Sequence, residues 1–151
     1  MIVYRIENEY REGPYNNSFD QYTDFECTEY SVYGKFRKYL KDGFSRHDKN
    51  GERYHPSPWR DGIEFDNWHV FGFASYEQLR HWFRYPITMK MIEEAGFYVV
   101  VYENVTDVIF GKTQVAFAKT EQYTRYKPTV AGRMIKAKYG KPSPVEMKMA
   151  A

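Results

Sequence analysis

A chain of 151 residues with a net charge of +2 is long enough to bury a core of its own and short enough that one domain is expected. Its single cysteine, Cys27, excludes an intramolecular disulfide and any multi-cysteine metal motif. No apolar run reaches membrane length and residues 1–10 carry no signal-peptide pattern, so a soluble protein of the cytoplasm is expected.

Tyr, Phe and Trp number 15, 11 and 3, and this suggests a small α+β protein with an aromatic core. A groove that stacks a planar ligand is the sharper alternative. Charge is unevenly spread. Residues 119–151 hold eight Lys/Arg and two Asp/Glu, a net of +6, whereas residues 1–118 have a net of −4. A mildly acidic body carries a basic tail.

In chain order, Ile2-Val3-Tyr4-Arg5-Ile6-Glu7 alternates and predicts a first strand, with Tyr4 and Ile6 on one face and Val3, Arg5 and Glu7 on the other. Arg5 is either solvated at an edge or aimed into a cleft to hold an anion, since its planar fork matches phosphate and carboxylate. Gly13-Pro14-Tyr15-Asn16-Asn17-Ser18 is turn chemistry. The acids of residues 19–29 lack calcium-loop spacing. Val32, Phe36, Tyr39 and Leu40 fit a helical stripe that Gly43 would stop. Residues 44–62 form a long loop in which His47, His55, Trp59, Arg60 and Asp61 concentrate polar chemistry, and a substrate-covering role is the functional reading of it. With His69 nearby a metal site is imaginable, but no known ligand spacing is matched.

Residues 68–119 organise the rest. Trp68-His69-Val70-Phe71-Gly72-Phe73 predicts a strand, with His69, Phe71 and Phe73 sharing a face. Ser75 is an N-cap, Gln78 completes a capping box, and Leu79, Trp82 and Phe83 give a short helix its apolar stripe. Residues 87–95 predict a second helix closed by Gly96. Residues 97–102, Phe-Tyr-Val-Val-Val-Tyr, predict a central strand apolar on both faces. Residues 105–110 and 113–118 flank a Gly111-Lys112 turn and read as two strands or one bent one. Residues 120–126 continue as an edge strand or loop. Residues 129–139 suggest a short basic helix, and the last seven residues read as disordered. The expected fold is α+β, a mixed or antiparallel sheet of five or more strands with a few short helices. Residues 1–127 are expected to be globular and 128–151 a basic, partly flexible tail. Residues 125–141, basic with interleaved tyrosines, are a candidate nucleic-acid contact.

Tyr4-Arg5-Ile6-Glu7, Gly13-Pro14-Tyr15, His55-Pro56-Ser57-Pro58-Trp59, residues 72–83 and residues 111–117 together resemble a family of small tailed-phage proteins of no assigned function. The order of parts is also similar to the ADP-ribosyltransferase core. There a basic residue on the first strand holds the nicotinamide dinucleotide, an aromatic-x-aromatic-Ala/Ser strand runs into a helix, and a late strand carries the catalytic glutamate. Tyr4-Arg5 and Phe71-Gly72-Phe73-Ala74-Ser75 resemble the first two elements. Gln114 stands where the glutamate would be. The resemblance implies NAD as substrate, with Arg5, His55 and Gln114 as catalytic candidates. Tyr4, Trp59, His69, Phe71, Phe73 and Ser75 would line the dinucleotide site. Without the carboxylate, a non-enzymatic phage inhibitor of a host enzyme or defence component is the alternative, and a virion or assembly component a further one. A host protein is the expected partner in the first two cases.

Overall fold

The computed structural model describes residues 1–13, 61–83 and 88–140. His55 and Trp59, the helical stripe of residues 32–40 and the last seven residues lie outside them.

Among the described residues, six strands form two three-stranded antiparallel sheets. In the first, β3 (Phe97–Tyr102) lies between β1 (Val3–Asn8) and β6 (Tyr123–Tyr126), with Arg5 opposite Val100 and Val100 opposite Arg125. In the second, β5 (Val115–Phe117) lies between β2 (Val70–Gly72) and β4 (Val108–Phe110). Three helices occur among the described residues: α1 (Tyr76–Trp82), α2 (Thr88–Glu94) and α3 (Pro128–Tyr139).

The α+β class and the antiparallel pairing match expectation, but the single sheet of five or more strands does not. Among the described residues, the backbones of the two sheets pair at an isolated bridge, where the Tyr4 amide donates to the Phe73 carbonyl at 2.8 Å and the Phe73 amide to the Tyr4 carbonyl at 2.7 Å. In an antiparallel ladder the next bonded pair would join Ile6 to Phe71. The Phe71 carbonyl instead accepts from Arg5 Nη1 at 2.6 Å. A side chain has taken the place of a ladder bond, and the sheets diverge there. Gly72 permits the approach: a Cβ on it would lie 2.6 Å from the Tyr4 carbonyl oxygen and 2.9 Å from Val3 Cγ1.

β1 divides the interior. Tyr4 and Ile6 join Phe73, Leu79, Trp82, Ile92, Val99 and Val101 in the larger core beneath the helices. Val3 joins Val100, Tyr102, Val115 and Phe117 in a smaller core between the sheets. β3 contributes to both cores, as its two apolar faces require. Gly96 closes α2 at φ +88°. Residues 128–139 are helical, and Ala131 and Ile135 of α3 lie in the larger core.

Candidate functional site

Arg5, Gln114, His69 with Phe71, and Tyr4 with Ser75 fall into four places, and Phe73 into the larger core; Arg5 and Phe71 touch across two of these places through the Phe71 carbonyl.

Arg5 is neither solvated nor free. Its side chain is 12% exposed, and its Nε lies 2.8 Å from Glu7 Oε2. It does hold an anion, but the anion is the protein's own. Glu7 has no exposed side-chain surface. It also receives Lys119 Nζ at 3.0 Å and the Tyr102 hydroxyl at 2.8 and 2.9 Å. A buried carboxylate survives only with such partners, because desolvation is otherwise prohibitive. Lys119 also donates to the Arg11 carbonyl at 2.7 Å, and its burial, ahead of the opposing pull of Glu7, pushes its pKa down. Burial, then the Glu7 charge, push the Tyr102 phenol far up. Arg11 lies over the Tyr123 ring at 4.8 Å and Arg125 over the same ring at 5.6 Å, so cations and phenols alternate along this face.

Gln114 is buried at the start of the second place, the β4–β5 turn. The Asp61 carboxylate organises that turn. It accepts from the Thr113 amide at 2.9 Å, the Thr113 hydroxyl at 3.1 Å and the Gln114 amide at 3.1 Å.

His69 is the third. Its Nδ1 accepts from the Asp66 amide at 2.9 Å, so Nε2 carries the proton that faces Asp107 Oδ1 at 3.1 Å. Trp68 Nε1 donates to the other Asp107 oxygen at 3.2 Å. These two bonds, His69 first, hold the Asp107 carboxyl below its usual range. Both ring nitrogens of His69 are engaged. Phe71 sits nearby, edge-on to Phe65 with centroids 4.9 Å apart. Phe73 packs instead into the larger core against Trp82 and Phe83.

Tyr4 and Ser75 share the fourth place, a cleft of about 500 Å³ between the start of α1 and α3, also lined by Tyr76, Glu77, Lys136 and Tyr139. Ser75 Oγ accepts from the Gln78 amide at 3.1 Å, which makes it the N-cap. Gln78 reaches back to the Ala74 amide at 3.0 Å, one residue short of the usual capping-box partner. Tyr4 and Tyr76 meet edge-to-face with centroids 6.4 Å apart. Burial, then Glu77, then Tyr126 push the Tyr4 phenol up, so it stays protonated.

Glu7, Lys119, Tyr102 and Asp107 are residues that sequence reading passed over, and Asp61 was named there only as one of the polar residues of a long loop. Glu7 was the findable one: two opposite charges beside Val3 on one strand face announce a paired, inward-facing site.

Among the described residues, no helix is long and apolar enough to cross a membrane. A family model described as Bacteriophage T4 Y00F protein matches residues 1–128. No curated protein and no solved structure matches the chain.

Proposed function

The chain belongs to the bacteriophage T4 Y00F protein family, and from that premise we propose that it is a phage-encoded binding protein that acts by occupying a host partner rather than by turning over a substrate. One observation carries this reading. Arg5 and His69, two of the polar groups best suited to chemistry, are each committed to partners within the fold. A group already bonded at its working atoms must break those bonds before it can act. The docking surface is the solvent face of α3, where Arg133, Lys136 and Lys138 are exposed; the helix itself carries no acidic residue, and Glu103 lies 3.8 Å from Lys138 at its edge. That face suits an acidic surface on the partner.

A deletion after Tyr126 is the wrong test, because it would strip Ala131 and Ile135 from the core. The right one keeps the fold. Purified wild-type protein incubated with NAD should release no nicotinamide above the blank. Partner capture from host lysate should be lost when Arg133 and Lys138, both exposed, are reversed to Glu. Nicotinamide release that depends on Arg5 and Glu7 would overturn the proposal.

A second reading keeps the ADP-ribosyltransferase-like chemistry, and the contact between Arg5 Nη1 and the Phe71 carbonyl supports it. The two segments that carry the resemblance touch, and β5 lies beside β2. Glu7, 2.8 Å from Arg5, would supply the carboxylate that Gln114 cannot. On this reading Arg5 exchanges Glu7 for a pyrophosphate. A thermal shift with NAD that disappears in Arg5→Ala would be its signature.

A further inference from the structure

We infer that the cleft between α1 and α3 binds a small ring-bearing phosphate monoester, of the nucleoside monophosphate or sugar phosphate class. Its volume of about 500 Å³ suits a small-molecule site. Its chemistry is donor-rich. The Tyr4 and Tyr76 phenols and the Lys136 ammonium have no hydrogen-bond or ion-pair partner among the described residues, and the Ser75 oxygen accepts from Gln78 while its own proton remains to be donated. Four donors around one cleft call for a group with several acceptor oxygens and negative charge. A phosphate has both, and a lysine is a suitable point charge for it.

The remaining lining selects what the phosphate is attached to. The Tyr4 and Tyr76 rings stand edge-to-face, and the Tyr139 ring adds a further wall. Glu77 at the rim is an acceptor that suits ligand hydroxyls or an amine, which sugars and bases both carry. The floor is built at some cost. Gly132 lies inside α3, where glycine is a poorer helix former than alanine. A Cβ there would stand 3.1 Å from the Tyr76 hydroxyl oxygen, so the glycine leaves room for that ring.

This site lies on the opposite face of β1 from Arg5 and Glu7, so it stands or falls separately from the ADP-ribosyltransferase-like reading; it shares Lys136 with the docking face of α3, and the NMR titration that tests it needs no partner protein. The test is an amide-resolved NMR titration of the whole chain with AMP, ribose 5-phosphate and inorganic phosphate. AMP or ribose 5-phosphate should move the Ser75, Glu77, Gly132 and Gly140 amides saturably. Lys136→Glu, an exposed change that preserves the spectrum, should weaken this by about tenfold or more, as loss of a charge-assisted contact implies. Lys90→Glu, exposed on α2, should not. Tighter AMP binding assigns the ring site to a base; equal binding of the two esters assigns it to the sugar. No saturable shift with either ester, an affinity indifferent to Lys136→Glu, or inorganic phosphate binding as tightly as the esters would overturn the inference.

Discussion

Glu7 shows what a single residue can commit a fold to. Its carboxylate is buried against two cations and a phenol, so removing its charge leaves Arg5 and Lys119 facing each other without an anion. Glu7→Gln should cost about 3 kcal/mol or more, read as a lowered urea midpoint with unchanged slope. Tyr102→Phe deletes one charge-assisted donor and should cost about 2 kcal/mol at neutral pH. It also has a pH signature. The Tyr102 phenol ionises at higher pH folded than its ordinary value of 10.0. The folded state therefore keeps a proton that the unfolded chain gives up, and stability is intact below about pH 10 and falls as pH rises beyond it. Lys119 has the opposite sign, since its lowered pKa makes stability rise with pH up to its ordinary value of 10.5. Urea midpoints measured across the alkaline range should fall above about pH 10, less steeply in Tyr102→Phe than in wild type.

At the scale of elements, local chemistry was legible wherever a partner lies close in sequence. Ser75 caps α1, Gly96 closes α2, and the alternation of residues 2–7 gave β1 its faces. Ser75→Ala should cost about 1 kcal/mol in a thermal or urea melt, the usual worth of an N-cap. Contacts between distant segments were not legible. Asp61 reads as one polar residue in a loop, yet its carboxylate organises a turn fifty residues on by accepting from Thr113 and Gln114. Asp61→Ala would leave the part-buried Thr113 amide and the buried Gln114 amide without this acceptor and should cost about 2 kcal/mol. The same holds for the candidate site. Tyr4 and Ser75 were named from the sequence, but Lys136, Tyr139 and Gly132 come from a segment read as tail, because nothing local says which face of a short helix will be covered.

The whole molecule depends on a small junction. The backbones of the two sheets pair through the Tyr4–Phe73 bridge, next to Gly72, which has no room for a side chain. Gly72→Ala should push β2 from β1 and cost about 2 kcal/mol, detected as early loss of β1 amide protection in hydrogen exchange. The two faces of β1 carry a further consequence. One face belongs under apolar helices and the other among charges. A shift of one residue in its pairing with β3 would drive Arg5 and Glu7 into hydrocarbon and leave Tyr4 and Ile6 among cations. The strand thus proofreads its own alignment: a misregistered pairing is disfavoured by charge rather than by shape.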